Sequence, residues 1–310
     1  TEERDGKQRL ILTNRETSRP LEIVPATEAA YLGMIFTRDS NFLYFTRKDS
    51  GGSNLYRLAL PGGTPVKIKE FVDSPVSFSP EEDRFAFVRH DKAAGVYLLM
   101  ISTIDGNDEQ VIATRQNRDA FSVYGLAWSP DGKVIVCPTS SWADGYKVSL
   151  MSFDLRDRTA RPIGDQPWFA ILQVGCQDMT SLIISARDQA GRPFKLWRIT
   201  YPDGVAQKLT TDLADYSDFS MSGQDIATVR TETSWELLVA RADSNFQNPA
   251  TIASGVGLNY GITWAGNNRL VFSSMVQDKL NISRIDVDGK NQTPLTVRAG
   301  DNYTPAASVD

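Results

Sequence analysis

The stretch "SVYGLAWSPDGKVIVC" (residues 122–137) decides how the rest of the chain is read. A short apolar run, Leu126-Ala127-Trp128, meets Ser129-Pro130-Asp131-Gly132, and a second apolar run begins two residues later. The tetrapeptide has the chemistry of a tight turn: proline presets φ, aspartate bonds its local backbone, and glycine accepts φ > 0. Upstream, "VDSPVSFSPEEDRFAFV" (72–88) repeats the arrangement. With Ser129 as anchor, equivalent positions fall at Thr37, Ser79, about Gly175, Ser220, about Trp264 and Ser308. The intervals are roughly 42, 50, 46, 45, 44 and 44 residues, the range of a four-stranded propeller blade.

Each unit has the same internal grammar. An apolar strand such as "PVSFS" enters a turn, and the next strand alternates with period two, as in "RFAFV". A third strand follows: "NLYRLAL" (54–60), "VYLLMIS" (96–102), "KLWRITY" (195–201) and "NISRIDV" (281–287). It ends in a glycine turn at Gly62-Gly63, Gly106, Gly204 or Gly289, and a fourth strand such as "TPVKI" or "VAQKLT" closes the unit. No long amphipathic helix interrupts the series. Four antiparallel strands repeated radially make an all-β β-propeller.

Composition agrees with one large β domain over residues 1–310. The chain is 41% hydrophobic, enough for a sizeable core, and carries a formal net charge of −5. An acidic chain argues against nucleic acid, whose binders carry basic stripes. No apolar run approaches the roughly 18–20 residues of a membrane helix, and "TEERDGKQR" is not a secretion signal. Cys137 and Cys176 make neither a disulfide framework nor a metal cluster.

The pattern of aromatic-Ser-Pro-Asp-Gly, an apolar strand, an aromatic or Arg-containing third strand and Asp-Gly resembles the WD40-like repeats of bacterial TolB-type propellers. It lacks the Trp-Asp dipeptide of true WD40 repeats. The resemblance covers roughly residues 8–310. Within it, "YLGMIFTRDSNFLYF", "VDSPVSFSP" and "LWRITYPDG" are similar to propeller regions attached to bacterial serine/threonine protein kinases. The resemblance implies a sensor or interaction region of a larger signalling protein, extracytoplasmic or periplasmic and membrane-attached, with a cytoplasmic setting as the alternative. A kinase domain would lie outside this chain, which has neither a Gly-rich loop before a Val-Ala-Ile-Lys strand nor a His-Arg-Asp motif.

Blades are expected at 30–71, 72–118, 119–166, 167–212, 213–256 and 257–297. "RLILTN" (9–14) and "PLEIVP" (20–25) read as third and fourth strands, and "PAASV" (305–309) as a first. Residues 8–25 and 298–310 are therefore expected to share a seventh, closing blade, which would remove exposed sheet edges. Six blades with stray terminal strands is the alternative. The abrupt ends fit a piece of a longer protein.

In such a fold, first-to-second and third-to-fourth turns lie at one end of each sheet. Second-to-third loops and inter-blade connections lie at the other. The first end holds the glycine turns. The second holds irregular loops: "TRKDSGGSN" (46–54), "RHDKAAG" (89–95), "SSWADGYK" (140–147) and "RDQAGRPF" (187–194). Function concentrates on such loops. Two patterns occur there. Tyr31, Tyr124, Trp168 with Phe169, Tyr216, Tyr260 and Tyr303 precede the inner strands, and only the blade starting near Asp73 lacks an aromatic. They could ring a funnel for a peptide or glycan, or wedge neighbouring blades together. Arg47, Arg89, Arg187 and Arg230 end the second strands and could bind carboxylate or phosphate. Asp49, Asp91, Asp188 and Glu232 follow within two residues, so local ion pairs are the other reading.

Catalytic motifs are missing. The single histidine, His90, is read as a loop residue and excludes a multi-histidine metal site, though not a carboxylate-only one. No Gly-x-Ser-x-Gly elbow supports a complete prolyl-peptidase-like enzyme. "DVDGKN" (286–291) imitates a calcium loop, but Val297 stands where an EF-hand needs an acid, so a hairpin is expected. "SGVGLNYG" (254–261) is followed by no helix that would hold phosphate. No cofactor or metal is implied. The expected function is non-enzymatic binding of a protein, a peptide or a small cell-envelope ligand. The alternatives are a hydrolase or lyase with its site in the central funnel, the gating propeller of a prolyl-oligopeptidase-like peptidase without its catalytic domain, and a purely structural propeller.

Overall fold

A computed structural model of the chain describes residues 1–13, 19–116, 118–143, 145–244, 246–276, 279–297 and 300–308. The chain divides into two compact units. One comprises Thr1–Asp188, Leu196–Gln207 and Asp218–Ala227; the other comprises Gln189–Lys195, Lys208–Ser217 and Thr228–Asp310.

Antiparallel meanders follow one another along the chain. β1 (Glu2–Arg4), β2 (Lys7–Thr13) and β3 (Pro20–Thr27) form a three-stranded sheet. β4 (Ala30–Phe36), β5 (Phe42–Asp49), β6 (Gly52–Ala59) and β7 (Val66–Glu70) form the first four-stranded sheet. β8 (Ser77–Phe78), β9 (Arg84–Asp91), β10 (Val96–Thr103) and β11 (Gln110–Gln116) form the next. In the third repeat the inner strand is split into β12 (Asp119–Phe121) and β13 (Ala127–Trp128), both paired with β14 (Val134–Ser141), and β15 (Lys147–Asp154) and β16 (Ala160–Pro162) complete it. The split falls opposite Pro138, which has no N–H for the ladder and only accepts a bond from the Ser122 N–H.

β17 (Ala170–Cys176), β18 (Ser181–Arg187), β19 (Lys195–Thr200) and β20 (Ala206–Lys208) make the fourth sheet. The fifth repeat supplies its four strands as two hairpins, β21 (Asp215–Ser222) with β22 (Asp225–Thr231) and β23 (Ser234–Val239) with β24 (Ala250–Val256). β25 (Ile262–Trp264), β26 (Arg269–Val276), β27 (Lys279–Asp286) and β28 (Thr293–Pro294) make the sixth. One short 3-10 turn, Ala242–Ser244, is the helical structure found among the described residues.

The period-two pattern of the second strands is a pattern of two cores, not of core and solvent. Phe85, Ala86, Phe87 and Val88 are all fully buried. Phe85 and Phe87 join Tyr44, Leu55 and Phe78 in a core shared with the preceding sheet. Ala86 and Val88 join Leu126, Trp128 and Phe153 in a core shared with the following one. β14 does the same, with Ile135 and Cys137 on one side and Val136 on the other. Burying each of the Phe, Val and Ile side chains contributes roughly 1.5–3 kcal/mol, so the stack of sheets is itself the hydrophobic core. In the second unit, Leu237, Leu270, Phe272 and Ile285 bring β23, β26 and β27 together in the same way.

The anchor turn recurs with its atoms in place. The Ser129 hydroxyl donates to Asp131 at 2.7 Å and accepts from the Val134 N–H at 3.0 Å. Thr37 with Asp39 and Phe42, and Ser79 with Asp83 and Arg84, reproduce these bonds. Three residues past the anchor the backbone is left-handed at Ser40, Glu82, Gly132 and Gly223.

The second glycine series has a role beyond its turn. A Cβ on Gly106 would lie 2.2 Å from the Ile68 carbonyl oxygen of β7. One on Gly204 would lie 2.2 Å from Gly164 N, and one on Gly289 3.0 Å from the Ile252 oxygen of β24. In each case the turn between third and fourth strands presses on the outer part of the preceding repeat, where only glycine leaves room.

Several sequence expectations change. The N-terminal region holds three strands, because Glu2–Arg4 pairs back on β2. His90 lies within β9, stacked on Tyr97 with centroids 4.0 Å apart, rather than in a loop. "PAASV" forms no strand among the described residues 300–308, and Val309 lies outside them. The polar groups just ahead of it are committed to β27: Leu280 N donates to Asp301, and Asn302 N donates to the Leu280 oxygen. The segment nonetheless keeps the phase of the repeats. Gly33, Gly125 and Gly175 face Pro75, Leu172 and Met221 of the next repeat, and Gly261 faces Thr304 and Pro305 in the same manner. "DVDGKN" is the expected hairpin turn, with Gly289 N donating to the Asp286 oxygen.

Candidate functional site

Strand register puts the predicted residues at the loop end of their sheets. Tyr31 and Arg47 are direct cross-strand partners, as are Ala170 and Arg187, and Ser141 pairs with Lys147 across the mouth of the 140–147 loop. What each side chain does there differs sharply.

Three of the aromatic positions are taken up by the chain's own packing. Trp168 is 3% exposed and meets Trp197 edge-on at 5.0 Å. Tyr216 is 8% exposed; its hydroxyl donates to Asp212 at 2.9 Å, and the Lys195 ammonium lies 5.6 Å from its ring centre. Burial, reinforced by the bond to Asp212, raises the Tyr216 phenol. Tyr31 is half-buried, edge-on to Phe45 and packed against the cluster containing Leu10 and Val24, and burial raises its phenol as well. These three fit the wedge reading. Tyr124 is 63% exposed. Tyr260 and Tyr303 are partly exposed and paired edge-on at 5.7 Å, and Tyr260 donates its hydroxyl to the Gly191 oxygen.

The four arginines are held locally. Arg47 lies over the Tyr56 ring at 4.4 Å and pairs with Asp49 at 3.5 Å. Arg230 pairs with Glu232 and Asp212. Burial works against the charged form of Asp212, but Arg230, Tyr216 and Lys195 outweigh it and hold that carboxyl below its ordinary range. Arg89 differs from expectation: its carboxylate partner is Glu109, at 2.5 Å, and not Asp91. Lys69 of the preceding sheet joins the same carboxylate at 2.8 Å, because β7 runs beside the second sheet. The hydrogen bond from Arg89, aided by Lys69 and opposed by burial, brings Glu109 down to about 2. Arg187 lies over Phe169 at 5.0 Å.

That last contact belongs to a larger group. On the 140–147 loop, Trp142 and Tyr146 are 59% and 40% exposed, with ring centres 4.5 Å apart and planes inclined by 45°. Tyr146 meets Phe169 of the next connection at 5.8 Å and 71°, and Arg187 covers the Phe169 ring. Three aromatic rings and a guanidinium thus run in series across the loop ends of two adjacent sheets. Phe169 and Arg187 were singled out by the repeat pattern; Trp142 and Tyr146 were not, because they stand after a second strand and not before an inner one. Their signal was two aromatics separated by three residues in "SSWADGYK".

Other candidates carry less. Cys137 and Cys176 are free, and burial pushes both thiols up to about 12, far from a reactive thiolate. Among the described residues, no three His, Cys, Asp or Glu side chains are grouped to hold a metal ion. No helix of the described residues is long and apolar enough to cross a membrane.

Comparison with known structures follows from these sheets. TolB from Acinetobacter baumannii superposes over 87% of this chain and 67% of its own, with a TM-score of 0.51 and 14% identity. The fold is a TolB-like β-propeller. The same propeller fold is shared with oligogalacturonate lyase from Vibrio parahaemolyticus, over 93% of this chain and 84% of that one, with a TM-score of 0.51 and 14% identity. A puromycin hydrolase matches over 96% of this chain but 42% of its own length, with a TM-score of 0.53 and 10% identity. No protein-family model matches the chain, and no curated protein matches it in sequence. At these identities the propeller fold alone is shared, so function rests on the side chains.

Proposed function

We propose that this propeller is a non-enzymatic binding module that takes a protein, a peptide or a small cell-envelope ligand at the loop end of its sheets. The observation that carries the reading is the series Trp142, Tyr146, Phe169 and Arg187, in which two large aromatic side chains stay open to solvent on a loop anchored by β14 and β15. Exposed, rigid aromatics cost little conformational entropy to immobilise, which suits them to recognition. The resemblance of the repeats to kinase-attached bacterial propellers supports a sensor or interaction region within a larger signalling protein, outside the cytoplasm. The single histidine weighs against the lyase-type alternative with a histidine-rich metal site.

The test is retention and recovery. The full chain is passed over immobilised peptides and oligosaccharides, and bound material is analysed by mass. Reversible retention of an unaltered ligand, lost in Trp142→Ala/Tyr146→Ala, is expected. Appearance of cleaved products that depend on the chain would overturn the binding reading in favour of an enzyme.

A further inference from the structure

We infer a second site, independent of the Trp142 series, in the row His90, Tyr97 and Arg115: it takes the carboxylate of a singly charged ligand that carries a hydroxyl beside it. Strand register sets the row. His90 of β9 is the cross-strand partner of Tyr97 of β10, and Tyr97 is that of Arg115 of β11. Side chains directly opposite one another share a face of the sheet, with Cβ atoms about 4.5–5.5 Å apart. Here that face is turned to the third repeat. Val88, Leu99 and Ala113, two residues further into the same strands, pack in the core that holds Phe121 and Trp128. An imidazole, a phenol and a guanidinium therefore stand side by side at the loop end of that core.

The fold leaves their polar ends unused. The His90 and Tyr97 rings stack at 4.0 Å with planes 2° apart, which occupies ring faces and not the edges that carry the nitrogens and the hydroxyl. Neither side chain makes a hydrogen bond to another described residue. Arg115 has no ion pair or hydrogen bond with a described residue either. Its guanidinium carbon lies 5.8 Å from the Phe121 ring centre, and its Nε is buried without an acceptor. Arg47, Arg89 and Arg230 each have a carboxylate. A half-buried cation without a counter-charge is costly until an anion joins it. Nor is the row a feature of the repeat. His90 stands eleven residues past the anchor Ser79; the same count from Thr37 and Ser129 gives Lys48 and Ser140, partnered by Ser53 and Val148.

The chemistry of the three groups selects the ligand. A guanidinium is a donor-only fork that matches the oxygens of a carboxylate. Its one permanent charge is neutralised by one carboxylate. A doubly charged phosphate would leave excess negative charge beside Asp91, the residue after His90. Phenol and imidazole both donate and accept, so next to the carboxylate they suit a group that does the same, a hydroxyl.

The chain has a single histidine, so its imidazole C–H resonances report on the row without ambiguity. The full chain is titrated with lactate, propionate, inorganic phosphate and chloride at matched ionic strength, and those resonances are followed by NMR. Lactate is expected to give a saturable shift, with propionate about threefold weaker for want of the hydroxyl. Arg115→Met should weaken lactate at least about tenfold without lowering the melting midpoint, since it removes an uncompensated charge. Tyr97→Phe should erase the difference between lactate and propionate. Should Arg115→Met not fold, Arg115→Lys, which keeps the charge and loses the fork, should weaken lactate about fivefold. No saturable shift with lactate, or lactate binding indifferent to the Arg115 substitutions, overturns the inference. The same shift from chloride would mark an adventitious ion only and overturn it too. Tighter binding of phosphate than of lactate would overturn the assignment to a carboxylate.

Discussion

The two ends of the sheets solve different problems with similar residues. At the turn end, Ser129, Thr37 and Ser79 repeat one set of hydrogen bonds, and Gly106, Gly204 and Gly289 repeat one close approach to the preceding repeat. At those three glycines a side chain would press on the neighbouring backbone. At the loop end the repeats differ: Trp168 is buried against Trp197, Tyr216 is tied to Asp212, and Tyr124, Trp142 and Tyr146 face solvent. The difference teaches that repetition marks what stacks the sheets, while departure from repetition marks what is available for recognition.

The contrast can be broken most forcefully at Gly204. Gly204→Ala sets a Cβ 2.2 Å from Gly164 N in a left-handed backbone, and a loss of about 4 kcal/mol or more is expected in urea unfolding. Gly132→Ala meets nothing closer than 3.6 Å, from Pro80, so only the left-handed backbone is strained and a loss of about 1–2 kcal/mol is expected. Equal losses at the two sites would show that close approach is not what the second glycine series is for.

The Glu109 cluster tests stacking by pH. Its carboxyl titrates near 2 in the folded chain, below an ordinary value of roughly 4.3 when unfolded. The stabilisation is therefore complete above about pH 5 and is lost as the pH falls toward 2, an effect of about 2 kcal/mol. Glu109→Gln should flatten the acid limb of the stability profile; an unchanged limb would remove the cluster from the account. Smaller again, Ser129→Ala should cost about 1 kcal/mol by removing one turn hydroxyl. Smallest, Trp142→Ala should change unfolding stability by less than about 0.5 kcal/mol, since the ring is 59% exposed. A large loss there would make Trp142 part of the packing.

The repeats, their strand order and the turn chemistry were legible because each is local: Ser129 and Asp131 bond across two residues, and Gly106 follows Asp105 in its own turn. The close approach of Gly106 to Ile68 was not, since it joins positions 38 residues apart on different sheets. The same limit explains the aromatics. Trp168 and Tyr124 hold equivalent places before inner strands, yet one meets Trp197 and the other meets water. Arg89 was paired with the nearest acid in sequence, Asp91, whereas β7 delivers Lys69 and the fold delivers Glu109. The split of the fifth repeat into two hairpins had no sequence signal at all.

The most direct test of the account is hydrogen exchange on the full chain with and without the ligand it retains. Protection on binding should rise at residues 140–147 and around Phe169 and Arg187, with the Ser129–Gly132 and Gly204 turns unchanged. Protection confined to those turns, with the 140–147 loop indifferent, would contradict the assignment of recognition to the loop end.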